Sequence, residues 1–565
     1  MASENKQKYL WWQTGVIYQI YPRSFMDSNG DGVGDLPGIT QRLDYLSNTL
    51  GVDAIWLSPI YPSPMHDFGY DVADYCDIHP MFGTLDDFDR LLEEAHRRGL
   101  KLILDLVPNH TSDEHPWFLE SRSSLDNPKR DWYIWRDPAP AGGPPNNWLS
   151  HFGGPAWTFD EKTGQYYLHQ FVKQQPDLNY RNPDVVEAML DAMRFWLDKG
   201  LDGFRCDAVP YLFEREGTSC ENLPETHAFL RRLRADLDAS YQGRVLLAEA
   251  NQWPKDVRPY FGDGDEFHMA FHFPLMPRMF MAVHSADRRP ITDMFQHTPA
   301  IPEGCQWCLF LRNHDELTLE MCTDPERDLM YYAYAQDPRM KLNVGIRRRL
   351  APLVDGDRRK IELLNGLLFA FPGAPIIYYG DEIGMGDNIH LGDRNGVRTP
   401  MQWSADRNAG FSTVPPEALY SPVVTDPAYG YQVVNVEAQR ASPASLLTWT
   451  RRLVAARKRT RAFGRGTLRF LDLANPRVLA FLREHEGDTV LVVANLAPSV
   501  EPASLDLAAF AGRVPVEMLD GARLPAVGRA PYLLTLGPYA FYWLRLERAP
   551  GLRETPHGLD PTAVL

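Results

Sequence analysis

Four apolar runs of the chain end in groups that can move protons or carry charge: DLVPNH (105–110), GFRCDAV (203–209), LLAEA (246–250) and FLRNHDE (310–316). They supply Asp105, Asn109 and His110, then Arg205 and Asp207, then Glu249, then His314 and Asp315. A single Asp at such an end is read first as a helix cap or a surface charge. A set contributed by neighbouring runs points to glycoside chemistry. One carboxyl group can protonate the leaving oxygen while a second bonds to, or stabilises, the anomeric carbon of an oxocarbenium-like transition state. Arg205 lies two residues before Asp207, on the same side of an extended strand, where its charge would keep Asp207 ionised. Glu249 needs the opposite treatment, a raised pKa that holds a proton for donation. Serine-based acyl transfer is the weaker reading, since no G-x-S-x-G elbow occurs.

To meet at one place these runs must be strands of one sheet. Eight runs of this kind recur: VIYQIYPRSF, AIWLSP, KLILDLVPNH, GFRCDAV, VLLAEA, EFHMAFHF, CLFLRNHDE and APIIYYGDE. Near-continuous apolar strands suit a parallel sheet buried on both faces. Helical patterns separate them. Thr84 and Asp87 form a capping signal ahead of Phe88, Leu91, Leu92 and Ala95, with Gly99 as the stop; Val185, Met189, Met193 and Trp196 repeat the pattern before Gly200. The expected class is α/β, a (β/α)8 TIM barrel over 1–110 and 178–465, with an open doubly wound sheet as the alternative. A Pro-, Gly- and Trp-rich connection over 111–177 is too long for a loop and predicts an inserted small domain after the third strand. A second irregular stretch covers 384–422. Short β-like runs over 466–550 predict a C-terminal antiparallel β-sandwich, followed by a tail over 551–565.

Composition limits the partners. The 565 residues carry a net charge of -16, which argues against nucleic acid, because phosphate binding needs a basic surface. No run of about eighteen apolar residues is present to span a membrane, and the N-terminus lacks a leader pattern, so a soluble cytoplasmic protein is expected, with a homo-oligomer left open. Six scattered Cys suit reduced thiols; Cys305 and Cys308 form one isolated CxxC, read as buried thiols rather than a zinc or redox pair. DSNGDGVGD, from Asp27, starts like a calcium loop of the EF-hand type but has Gly38 at its twelfth position, where a bidentate Glu belongs.

The four motifs, in this order, resemble those of the α-amylase family of glycoside hydrolases and transglycosylases; QPDLN (175–179) and GAPIIYYGDE (373–382) resemble two more. The resemblance covers nearly the whole chain. It implies Asp207 as nucleophile, Glu249 as general acid and base, and Asp315 as the carboxylate gripping sugar hydroxyls in the transition state. His110, Arg205 and His314 would surround the same sugar, with Asp67, Tyr70, Phe171, Gln175 and Arg398. For Tyr70 and Phe171 core packing is an equal reading. The resemblance also answers the DSNGDGVGD question: it implies a structural calcium held by Asp27, Asn29, Asp31, Asp35 and the carbonyl of Val33. A second ion between barrel and insertion would use Asn109, Asp177, Glu214 and the carbonyls of Tyr211 and Leu212. No organic cofactor is implied. Within the family, DRNGVRTPMQW and AEANQWP resemble members acting on small α-glucosides, and most closely those that interconvert maltose and trehalose. A plain α-glucosidase or sucrose-type isomerase would use the same three carboxylates, and a catalytically dead binding relative is the remaining class. The insertion and residues 384–422 are the candidate lid.

Overall fold

The computed structural model describes residues 10–548; the expected tail over 551–565 lies outside them. Eight parallel strands close a barrel: β1 (Ile17–Ile20), β2 (Ala54–Leu57), β3 (Lys101–Leu106), β7 (Gly203–Cys206), β8 (Val245–Ala248), β9 (Met269–Phe271), β10 (Gln306–Phe310) and β14 (Ala374–Tyr378). Each strand pairs with its neighbours in chain order, and β14 pairs with β1. These are the eight apolar runs, and all but Lys101 are fully buried along their length, as a sheet covered on both faces requires. The register sets Asp105 beside Arg205 and Arg205 beside Leu247.

Helix α1 (Leu85–Arg97) starts at Thr84, whose side chain and that of Asp87 satisfy each other's amides, and it buries Phe88, Leu91, Leu92 and Ala95. Helix α2 (Pro183–Asp198) buries Val185, Met189, Met193 and Trp196.

Between β3 and β7 lies a small sheet of β4 (Trp135–Arg136), β5 (Trp157–Asp160) and β6 (Gln165–Leu168), held by a core of Ile134, Ala156, Trp157 and Leu168. A second small sheet, β11 (Leu317–Thr318), β12 (Lys341–Leu342) and β13 (Gly345–Ile346), rises after β10; nothing in the sequence reading anticipates it. Its strands are two residues long, too short to show alternation.

The C-terminal part is a two-layer β-sandwich. One layer is β15 (Thr467–Phe470), β16 (Val478–His485), β17 (Asp488–Asn495), β19 (Arg513–Glu517) and β21 (Phe541–Arg548); the other is β18 (Glu501–Leu505) with β20 (Tyr532–Leu536). Residues alternate along β16 and β17. Leu479, Phe481, Val490 and Val492 join the barrel core, while Ala480, Leu482, Leu491 and Val493 pack with Leu505 and Leu536. Arg483, fully buried, locks the two parts together by donating to the carbonyls of Ala370 (2.5 Å) and Gly466 (2.9 Å). Gly366 lets the barrel helix Arg358–Leu368 approach: a Cβ there would sit 2.6 Å from the Phe541 ring.

Candidate active site

The C-terminal ends of the barrel strands open into a cavity of about 200 Å³. Arg205, 2% exposed, reaches three carboxyl groups. Its Nη1 donates to Asp105 Oδ1 (2.5 Å) and Asp207 Oδ1 (2.6 Å), and its Nη2 pairs with Glu249. Main-chain bonds from Asp207 N to Leu106 O (2.8 Å) and from Glu249 N to Cys206 O (3.0 Å) extend the sheet by one residue, so both carboxylates leave the ends of adjacent strands. Ala208 then turns left-handed, φ 49°, and its amide donates to Glu249 Oε2 (3.2 Å).

Burial pushes both acids up, but unequally. Asp207 rises to about 6, with Arg205 holding it back; Glu249 rises to about 8, because Asp207 and Asp315 add repulsion to burial. Around neutrality Asp207 is ionised and Glu249 carries a proton, which it shares with Asp207. Asp315 behaves oppositely. Burial opposes its ionisation, but contacts with His314, Arg394 and Arg398 outweigh it and hold its carboxyl well below the usual range.

The other predicted sugar-binding residues divide into those facing the cavity and those behind it. Asp67, Tyr70, His110, Phe171 and Arg205 line it. His110 is kept neutral by burial, its pKa lowered to about 3 against a main-chain hydrogen bond with Tyr70 that raises it. Tyr70 is both packed and polar: its hydroxyl meets His314 Nε2 at 2.7 Å. His314 is fixed from behind by Gln19 (2.7 Å). Gln175 is wholly buried and donates to Asp67 Oδ2 (3.1 Å), so it orients Asp67 instead of facing the cavity.

Arg398 also differs from its expected place. It sits behind the wall, donating to His314 O (2.7 Å) and Asp315 Oδ1 (2.9 Å). Arg394, four residues earlier, is the arginine that enters the cavity, bridging Asp67 Oδ1 (2.8 Å) and Asp315 Oδ1 (3.0 Å). Both arginines lie in DRNGVRTPMQW, an irregular segment without a period that could say which one points inward. The outer half of the cavity is lined by residues the sequence reading did not single out: His151, Phe152, Asn251, Phe273, Asn313, Glu316, Thr318, Glu320 and Asn343. Asn251 donates to Glu320, and Asn343 to Glu316 (2.8 Å).

The two expected metal sites are built from oxygens, but no three His, Cys, Asp or Glu side chains converge as a metal cluster among the described residues. In the first loop Asp27 and Asp35 are buried, and Gly30 (φ 77°) and Gly32 (φ 90°) curl the chain around Asp27. Asp27 accepts from Gly30 N (2.7 Å), Gly32 N (2.9 Å) and Ser412 Oγ (2.6 Å). Asp35 caps the following helix through Gly38 N (2.7 Å); Asp31 is exposed and accepts from Val33 N (2.9 Å). In the second set Gln170 bridges Asp177 Oδ2 and Tyr211 O, both at 2.9 Å, and Asn109 contacts Asp177 Oδ1 (3.2 Å). Among the described residues no lysine or arginine pairs with Asp27, Asp35 or Asp177, and Asp177 feels Glu214 as a second buried carboxylate. Asp27 and Asp35, buried without a counter-cation beside neutral oxygens, form a donor set that fits a hard cation; in the second set the Gln170 amide already donates to Asp177 and Tyr211 O, and Glu214 already has Arg181 at 3.7 Å.

The model of the alpha amylase catalytic domain matches residues 19–332 and 347–466, and that of the maltogenic amylase C-terminal domain matches 468–543. The chain belongs to the α-amylase family. It is 57% identical over 550 residues to a trehalose synthase/amylase of Mycolicibacterium smegmatis, covering 95% of this chain and 93% of that protein. It is 55% identical over 549 residues to a trehalose synthase of Pimelobacter sp., covering 95% and 96%. A probable α-glucosidase of Rhizobium meliloti is 37% identical over 546 residues, covering 88% and 91%. Among solved α-amylase-like structures, an α-glucosyl transfer enzyme, XgtA, superposes with a TM-score of 0.79 at 35% identity, covering 96% of this chain and all of that one. A mutant of the trehalulose synthase MutB, solved with its substrate sucrose, gives 0.78 at 32%, covering 95% and 99%. Among the described residues no helix is long and apolar enough to cross a membrane.

Proposed function

We propose that the chain is an isomerase that interconverts maltose and trehalose by moving one glucosyl unit within the disaccharide. What supports this reading is the meeting of Asp207 and Glu249 around Arg205 at one cavity, the surroundings favouring charge on the first and a proton on the second, in a chain 55% and 57% identical to relatives named trehalose synthase. Asp207 attacks C1 of the non-reducing unit while Glu249 gives its proton to the glycosidic oxygen. The C1–O bond breaks, glucose is freed, and a glucosyl ester forms on Asp207. Asp315, ionised between Arg394 and Arg398, accepts hydroxyls of the flattened ring. The freed glucose turns; Glu249, now a carboxylate, takes the proton of its anomeric hydroxyl, and that oxygen attacks C1 and releases Asp207. Water attacking instead yields two glucose molecules, so minor hydrolysis accompanies the reaction.

The deciding experiment supplies maltose together with isotopically labelled glucose. Trehalose that excludes most of the label, with a little free glucose, is the expected result. Glucose alone would mean an α-glucosidase on the same scaffold.

Calcium is the ion we propose for both oxygen sets: Asp27, Asn29, Asp31, Asp35 and the Val33 carbonyl in one, and Asn109, Asp177, Glu214 and the Tyr211 and Leu212 carbonyls in the other. It would neutralise buried carboxylates and take no part in bond making. Chelation should lower the melting temperature by several degrees and calcium should restore it; an unchanged melting curve after exhaustive chelation refutes both sites. The six free thiols suit a reducing cytoplasm.

A further inference from the structure

Where the segments after β10 and β14 meet, around Arg312 and Asp381, lies a second polar centre that the proposed reaction does not use. Arg312 is buried three residues before Asp315. Its Nε donates to the carbonyl of Arg348 (2.6 Å) and its Nη2 to the carbonyl of Asp315 (2.5 Å). Arg349 is wholly buried and donates through Nη1 to Tyr379 O (2.7 Å) and Asp381 Oδ1 (3.4 Å). Asp381, buried three residues past the end of β14, contacts Arg349 and lines the same small cavity as Arg312; burial pushes its carboxyl up to about 7, with both arginines pulling the other way. Arg312, Asp381, Glu382, Asn365 and Thr450 line an enclosed cavity of about 10 Å³. Arg312 Nη1 and Glu382 Oε2 have no partner in the protein. A cavity of that size, with buried donors and acceptors left over, has room for about one water.

We propose that Arg312 is a positioning residue for Asp315, anchored on the Arg348 carbonyl and facing Asp381 and one buried water in the small cavity, so that this centre fixes the carboxylate that grips the sugar in the transition state. Asp315 is otherwise held by its amide, which donates to Asn313 Oδ1 (3.0 Å), and by its carboxylate on Arg394 and Arg398. Arg312 supplies the third restraint, on the carbonyl. With all three in place the residue cannot swing about its own backbone. Without Arg312 the carbonyl is free to turn, and the side chain follows it away from the ring. Fixed geometry matters most where charge develops, so the loss falls on the chemical step more than on ground-state binding.

The inference rests on the glucosyl-transfer reading, and the test separates the two. Wild type, Arg312→Lys, Arg312→Met and Asp381→Asn are compared on maltose and on 4-nitrophenyl α-glucoside, with melting temperatures in parallel. Arg312→Met should lower kcat on both substrates by the same factor, about 10- to 100-fold, with KM within about threefold. An aryl leaving group needs no proton, so equal losses place the defect at Asp315 and not at Glu249. Arg312→Lys keeps the charge and one carbonyl bond and should fall between; Asp381→Asn should lower kcat in the same sense even if Arg312→Met does not fold. A folded Asp381→Asn or Arg312→Lys enzyme with wild-type kcat, or one impaired only through KM, overturns the proposal. Absence of turnover in the wild type sinks the function itself.

Discussion

The electrostatics of the acid pair predict the pH dependence of the enzyme. For the free protein, kcat/KM on maltose follows the fraction of molecules with Asp207 ionised and Glu249 protonated. Lowering the pH through about 6 protonates Asp207 and removes the nucleophile; raising it through about 8 ionises Glu249 and removes the acid. Midway between the two values each group is about nine-tenths in its working form, and one unit beyond either limb the rate falls about tenfold. The profile is therefore a bell centred near pH 7. The gap has a physical cause in the site: both acids are buried and both are relieved by Arg205, but Asp207 feels Asp105 while Glu249 feels Asp207 and Asp315, and the hydrogen bond between the two lowers Asp207 and raises Glu249. Rates of trehalose formation across this range, by chromatography, measure the limbs. Glu249→Gln then assigns them. On maltose it should lose about 10²- to 10⁴-fold, whereas on 4-nitrophenyl α-glucoside the formation of the glucosyl ester survives and the basic limb disappears. A basic limb that persists unchanged in Glu249→Gln on the aryl glucoside would show that another group titrates there. An acid limb near 4 would show that Asp207 is better solvated than its surroundings indicate.

Arg394→Met leaves Asp67 without its cation and Asp315 with only Arg398; removing one partner of buried charge pairs costs about 2–4 kcal/mol, so kcat/KM should fall about 30- to 1000-fold, and an effect under threefold would contradict the bridge. Asn251→Ala removes the tie to Glu320 at the outer wall, so glucose should rise several-fold relative to trehalose in the product mixture while total maltose consumption changes less; an unchanged ratio would mean the tie does not keep water out.

What the sequence disclosed and what it hid follow from how each part is held. The eight barrel strands are buried on both faces, which produces apolar runs readable without any partner, and Asp105, Asp207, Glu249 and Asp315 were visible because they end those runs. Helix α1 was readable from Thr84 and Asp87, a local device that needs no tertiary context. The small sheets over 135–168 and 317–346 left no such trace, because most of their strands are only partly buried and so carry neither a period nor a continuous apolar run. The choice between Arg394 and Arg398 depends on the path of an irregular loop. The same holds for Asn251, Glu316, Glu320 and Asn343, which gain meaning only when separate connections meet over the cavity.

In the proposed reaction that division separates the groups that would transfer glucose from those that would keep water out. The proposed nucleophile Asp207 and acid Glu249 stand on barrel strand ends, in registers fixed by main-chain pairing, and Arg205 serves both of them, and Asp105 beside them, from one rigid strand. The wall that must retain the freed glucose is assembled differently. Asn251 follows β8, Glu316 and Glu320 flank β11, Asn343 joins β12 to β13, Phe152 belongs to the insertion, and Arg394 to the segment after β14. They come from four connections, with Glu316, Glu320 and Asn343 sharing the one between β10 and β14, and they are tied by side-chain contacts such as Asn251 with Glu320 across two connections and Asn343 with Glu316 within one. Bond cleavage therefore tolerates changes in the loops that retention does not. On the proposed reaction, altering wall residues alone should shift the balance between isomerising and hydrolysing a disaccharide with Asp207, Glu249 and Asp315 untouched.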